Sequence, residues 1–144
     1  MGVTISGKPS SKITAQSLDM GYGGFFRLRC MAAKHLNDEF YDLYKDMLNN
    51  RYDWEEFDKN INDCIKRHKL DKTASDCKLL DFFFLPDCEG KITYGACKKL
   101  YDLIKDDDDN KKIGYVGRAD CATVGDFKEL LLDIYKNKGE MVWL

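Results

Sequence analysis

Proline is scarce in this chain of 144 residues: only Pro9 and Pro86. With 12% aromatic residues beside it, that scarcity argues against disorder, because aromatic side chains supply the apolar surface a folded core needs. No apolar run approaches the roughly 20 residues of a membrane-spanning helix, and mean hydropathy is −0.50. The opening Met1-Gly2-Val3-Thr4-Ile5-Ser6 has neither the basic start nor the apolar stretch of a signal peptide. Neither sign of charge dominates. Twenty-three basic residues against 25 acidic ones leave a net charge of −2, so no global field draws the chain to nucleic acid or to a membrane surface. Also missing are the G-x-S-x-G serine motif, a Walker lysine–serine pair and any C-x-x-C. These absences lead to the expectation of one cytoplasmic domain, residues 1–144, with no catalytic constellation, no cofactor and no metal.

Six cysteines are present, at 30, 64, 77, 88, 97 and 121. A chain of this length buries a sizeable core without disulfides, so reduced and mostly buried thiols are expected. Cys64 and Cys97 fall on apolar helix faces, where a thiol behaves as a small hydrophobe. The two histidines, His35 and His68, complete no metal-binding pattern. Each lies near a predicted helix C-terminus, where the helix dipole favours a cation.

What is present is mostly helical periodicity. Residues 1–20 alternate apolar and polar side chains in Val3-Thr4-Ile5-Ser6 and Lys12-Ile13-Thr14-Ala15, which predicts a hairpin about Gly7-Lys8-Pro9-Ser10 or a partly ordered arm. After Met20-Gly21-Tyr22-Gly23-Gly24, a helix over about 25–36 carries Phe25, Leu28, Ala32 and Leu36. A second has Phe40, Leu43, Tyr44, Met47 and Leu48 at i, i+3, i+4, i+7, i+8, and Asn49-Asn50 stops it. Asp53 with Glu56 offers a capping-box start to a third, with Trp54, Phe57, Ile61, Cys64, Ile65 and His68 inward. A fourth, capped from Thr73-Ala74-Ser75-Asp76, runs through Leu79, Leu80, Phe83 and Phe84 to Pro86. Thr93 caps a fifth, with Cys97, Leu100, Tyr101 and Ile104 inward, and Thr123 with Asp126 opens a sixth, carrying Phe127, Leu130, Leu131, Ile134 and Tyr135. Ile113-Gly114-Tyr115-Val116-Gly117 reads as a short strand or loop. Met141-Val142-Trp143-Leu144 reads as a terminal strand, and its exposed edge is a natural place for a homodimer to pair. The expected fold is mainly α (α+β): a single-domain bundle of about six helices, with a small β element from the two ends.

Three places carry possible chemistry. Asp87-Cys88-Glu89-Gly90-Lys91-Ile92 resembles part of a calcium loop. Aligning Gly90 with the loop glycine leaves Leu85 and Ala96 where the strongest ligands belong, so a plain turn with Gly90 at positive φ is expected. The run Asp106-Asp107-Asp108-Asp109 reads as a solvated loop kept extended by like charges, or as a docking element for a basic partner. Gly21-Tyr22-Gly23-Gly24-Phe25-Phe26-Arg27-Leu28-Arg29 is the most suggestive. Glycines at a helix start allow an anion close approach. Tyr22 and Phe26 are placed to stack on a base, and Arg27 and Arg29 to pair with phosphate oxygens. Arg118, near Tyr115 in a second glycine-containing loop, could join them. The plain alternative is that the glycines launch the helix and the arginines make surface ion pairs.

Three stretches together resemble a family of small uncharacterised proteins encoded by bacteria and their phages. Tyr22-Gly23-Gly24-Phe25-Phe26-Arg27-Leu28-Arg29 is similar to the family's Y-G-x-F-x-R-x-R, and 86–92 to its S-D-C-D-G-x-I, followed by a helix with a cysteine, here Cys97. The closing Lys138-Gly139-Glu140-Met141-Val142-Trp143-Leu144 is the third. Pro86 and Glu89 depart from the second pattern, which weakens any metal or hydrogen-bonding role there. The resemblance implies a phage or bacterial cytoplasmic origin. The functional expectation is a non-enzymatic binding protein that sequesters a small phosphorylated or nucleotide-derived signal, countering host immunity, through Tyr22, Phe26, Arg27, Arg29 and Arg118. The alternative is a protein–protein module or host-factor inhibitor acting through Asp106, Asp107, Asp108 and Asp109. A calcium- or redox-responsive module is a third reading.

Overall fold

A two-residue period builds the sheet. In β1 (Gly2–Lys8) Val3, Ile5 and Gly7 are buried while Thr4 and Lys8 are exposed. The same alternation buries Leu18 and Met20 of β2 (Leu18–Gly21), Ile92 of β3 (Gly90–Thr93) and Met141 and Trp143 of β4 (Glu140–Trp143). The computed structural model describes residues 2–47, 53–71 and 78–144. It joins these strands in one antiparallel sheet of order β2-β1-β4-β3, with Ile5 and Gly90 each opposite Trp143. The other face is polar, and Thr4 Oγ1 donates across it to Asp19 Oδ1 at 2.7 Å.

Helices cover the apolar face. They are α1 (Tyr22–Leu36), α2 (Asp38–Lys45), α3 (Trp54–Arg67), α4 (Asp81–Phe84), α5 (Tyr94–Ile104) and α6 (Val124–Lys136). α6 packs on α5 and against β1 and β4, while α1 touches α2, α5 and the sheet. The fold is therefore α+β, with a four-stranded sheet at its base, and is not clearly a bundle. The β element also draws on β3 from mid-chain, where the sequence suggested only the two ends.

Two further expectations change. β1 pairs with 18–21 and not with 12–15. The latter segment is held elsewhere: Thr14 N and Ala15 N donate to Asp133 Oδ2 of α6 at 2.8 and 2.9 Å, which places Ile13 in the core. The C-terminal strand is central, flanked by β1 and β3, and Trp143 is fully buried, so it offers no edge for pairing with a second copy.

The helix ends follow local chemistry. Asn37 Oδ1 accepts from Phe40 N at 3.0 Å to start α2, and Thr93 Oγ1 accepts from Ala96 N to start α5. Asp53 sits at the N-cap of α3, but its side chain makes no capping bond. Trp54 and His68, expected inward, are exposed. α4 stops at Phe84, and Leu85, forced extended by Pro86, follows. Leu48, Asn49-Asn50, the Thr73–Asp76 cap and Cys77 lie outside the described residues. The 113–117 stretch is loop, tied by one bridge from Lys112 to Thr123.

At α6 the capping box is complete: Thr123 Oγ1 accepts from Asp126 N at 3.2 Å, and Asp126 Oδ2 from Thr123 N at 3.0 Å. Thr123→Ala is expected to cost about 1 kcal/mol in chemical denaturation, and Thr123→Ser a few tenths. Equal costs for the two would show that the hydroxyl is not the cap.

Candidate functional site

One face of α1 and one edge of α2 form a cleft. Phe26, Cys30 and Lys34 follow one another at i, i+4, i+8, and Arg27, Met31 and His35 run beside them at the same spacing, so all six share a helix face. Across from them stand Tyr41 and Lys45, four residues apart on α2, and the loop residues Asp107 and Lys111. The enclosed space is about 400 Å³.

Positive charge dominates this cleft. Lys45 is held by Asp42 at 3.2 Å and sits 5.2 Å from the centre of the Tyr41 ring. Among the described residues, no carboxylate pairs with Arg27, Lys34 or Lys111. Asp107, the carboxylate that lines the cleft, is already engaged, with His35 Nε2 3.0 Å from its Oδ2. Phe26 and Tyr41 are half-buried, and Phe26 stacks on Tyr44 at 5.7 Å and 21°. Burial pushes the Cys30 thiol up to about 11, which keeps it protonated and a poor nucleophile at neutral pH. Chemically the cleft can hold an anion with a flat ring, and its described residues present no activated nucleophile.

Of the five residues expected to form a pocket, Phe26 and Arg27 meet here. Tyr22, the first residue of α1, is half-buried against the core. Arg118 lies elsewhere, in a recess of about 260 Å³ with Tyr115, Asp19 and Asp126. Its guanidinium forks Asp120 at 2.9 and 3.0 Å and lies 5.5 Å from the centre of the Tyr115 ring.

Arg29 points the other way, into the protein. It is 3% exposed and stacks on Phe25 at 4.2 Å from the ring centre. Nη2 donates to Leu85 O at 2.6 Å, and Nη1 to Asp87 Oδ1 at 2.9 Å. Desolvation lowers its pKa, with Tyr44 and Asp87 opposing the shift. The same connection is pinned twice more, by Tyr44 Oη on Phe83 O at 2.7 Å and by Trp143 Nε1 on Pro86 O at 2.8 Å. Arg29, Tyr44 and Trp143 thus each satisfy one carbonyl that a short helix and a proline leave without a ladder partner.

Comparison with family models, with curated proteins and with solved structures finds no match to this chain.

The stretch expected to be a plain turn, 87–92, is a turn over 87–89 and strand β3 from Gly90. Gly90 does not take a positive φ; among the described glycines only Gly117 does. It is needed for a different reason: a Cβ there would overlap the Trp143 ring. The acidic run is not extended. Buried Lys128 donates to Lys105 O, Asp107 O and Asp109 Oδ1 at 2.9, 2.6 and 2.6 Å, wrapping the loop around one ammonium. Asp106, Asp108 and Asp109 remain exposed, and Asp108 accepts from Asn110 N.

Lys34, Tyr41, Lys45 and Lys111, which line the same cleft, were not singled out in the sequence. The i, i+4, i+8 repeat from Phe26 to Lys34 was a usable signal. Lys111 arrives from a distant loop and left none. A second cluster was missed as well: donor atoms of Glu39, Cys64 and His68 lie within 4.8 Å of one another.

Proposed function

We propose that the protein captures a small phosphorylated ligand bearing a flat ring, of the nucleotide-derived class, in the cleft between α1, α2 and the 105–111 loop. The observation that carries this is the grouping of Arg27, Lys34 and Lys111, each without a carboxylate partner among the described residues, around Phe26 and Tyr41. The net charge is −2, so this concentration of cations is local and not a by-product of composition. Guanidinium and ammonium groups bind phosphate oxygens through charge-assisted hydrogen bonds. A cleft of about 400 Å³ falls within the range of roughly 300–1,000 Å³ usual for small-molecule sites. Sequestration needs binding alone, in keeping with a cleft whose described residues include no activated nucleophile. In a phage or bacterial setting, capture of such a ligand would withdraw a nucleotide signal of host immunity.

Calorimetry against cyclic dinucleotides, ADP-ribose and pyrophosphate tests the reading. At least one nucleotide is expected to bind with an affinity that falls as salt rises. Arg27→Glu and Lys34→Glu should each weaken it by about 10- to 100-fold, as loss of one charge-assisted bond dictates. Arg118→Ala should leave it unchanged. Absence of heat with every nucleotide, or indifference to both charge reversals, overturns the proposal. The acidic loop is a poorer docking element, because Asp107 and Asp109 are committed to His35 and Lys128.

A further inference from the structure

We infer that Glu39, Cys64 and His68 form a binding site for a divalent cation of borderline softness, zinc foremost, at the junction of α2 and α3. Cys64 and His68 are four residues apart, one turn along the same face at the C-terminal end of α3. Glu39 faces them from the first turn of α2. Thiolate, imidazole and carboxylate are the three ligand types zinc uses in proteins. Their donor atoms lie within 4.8 Å of one another. Tetrahedral coordination asks for donor separations of roughly 3.3–3.6 Å; His68 Nε2 and Glu39 Oε1 already stand 3.3 Å apart, and side-chain rotation closes any wider pair.

Three further observations fit a cation here. Glu39 Oε1 is shielded from water, and its neighbours there, Arg67 Nη2 at 2.8 Å and His68 Nε2 at 3.3 Å, hold it by charge and not by well-aligned hydrogen bonds. The C-terminal end of a helix carries partial negative charge, which favours a positive ion. A cleft lined by Glu39, Asp63, Lys66 and Arg67 opens on the Glu39 side of the cluster, from which water can reach that carboxylate as a further ligand.

Arg67 is the competitor. Its Nη1 donates to Glu39 Oε2 at 2.9 Å, and so its charge stands where the cation's would act. Its side chain is 60% exposed. Asp63, four residues earlier on α3, is an alternative partner for the displaced guanidinium. When the metal binds, the thiol proton of Cys64 leaves to solvent and the sulfur becomes a ligand.

Titrating the reduced full-length chain with cobalt(II), followed by displacement with zinc, tests this assignment. One equivalent of cobalt is expected to give a thiolate-to-metal charge-transfer band that zinc abolishes. His68→Ala and Glu39→Gln, both at partly exposed positions, should lower affinity by about 10- to 100-fold while melting cooperatively. Arg67→Ala should bind the metal more tightly than the unaltered chain, the reverse of what a purely structural ion pair implies. No thiolate band, metal binding unchanged in His68→Ala and Glu39→Gln, or weaker binding in Arg67→Ala would each overturn the assignment.

Discussion

Trp143→Ala is expected to lower unfolding free energy by about 4 kcal/mol, a large share of the 5–15 kcal/mol typical of a domain. The indole is fully buried in the middle of the sheet, 5.6 Å from the Phe25 ring and 6.1 Å from that of Phe82. Gly90 has no side chain so that this ring can lie over the neighbouring strand. Truncation leaves a cavity between the sheet and the rings of α1 and α4, and it strands Pro86 O without its donor. Trp143→Phe separates the two losses, keeping most of the volume and costing about 1–2 kcal/mol for the carbonyl. Urea denaturation with both variants measures the difference. A cost below about 1 kcal/mol for the alanine variant would mean that the terminal strand is not a central one.

Arg29→Ala should cost about 3 kcal/mol, because a buried charge with two acceptors is removed and its partners remain. Asp87 is 45% exposed and regains water, whereas half-buried Leu85 O loses its charged donor, and the packing on Phe25 is lost. Arg29→Met restores that packing and should recover about half the loss, since only the carbonyl then goes unpaired. Arg29→Lys supplies one ammonium where a fork reaches two acceptors, and should fall between them. Denaturation of the three variants tests the ranking. Nucleotide affinity in a folded Arg29→Met variant should match the unaltered chain, because this side chain is absent from the cationic cleft. Lost affinity at unchanged stability would return Arg29 to the ligand.

The helices were legible because each rests on a local rule: the Phe40 and Tyr44 spacing, the Thr93 cap, and the Thr123–Asp126 box, whose two reciprocal hydrogen bonds are both made. Strand pairing was not, since Leu18–Gly21 and Lys12–Ala15 both alternate and a carboxylate far along the chain, Asp133, decides between them. Arg27 and Arg29 look equivalent in sequence. A 100° step per residue sends the first to solvent and leaves the second beneath Phe25, and only the arrival of Leu85 and Asp87 makes burial of the second tolerable. The Glu39, Cys64 and His68 cluster escaped a search for C-x-x-C because its spacing is helical and its third member lies on another helix.

Thr4 and Leu144 exchange backbone hydrogen bonds at 2.9 and 3.1 Å, and β4 separates β1 from β3. On the ribosome, β1 therefore emerges with only β2 beside it. At roughly 5–20 residues per second, its other edge waits on the order of ten seconds for its mate. During synthesis this sheet is a half-open zipper, and its inner edge is where a nascent chain of this kind most needs a chaperone.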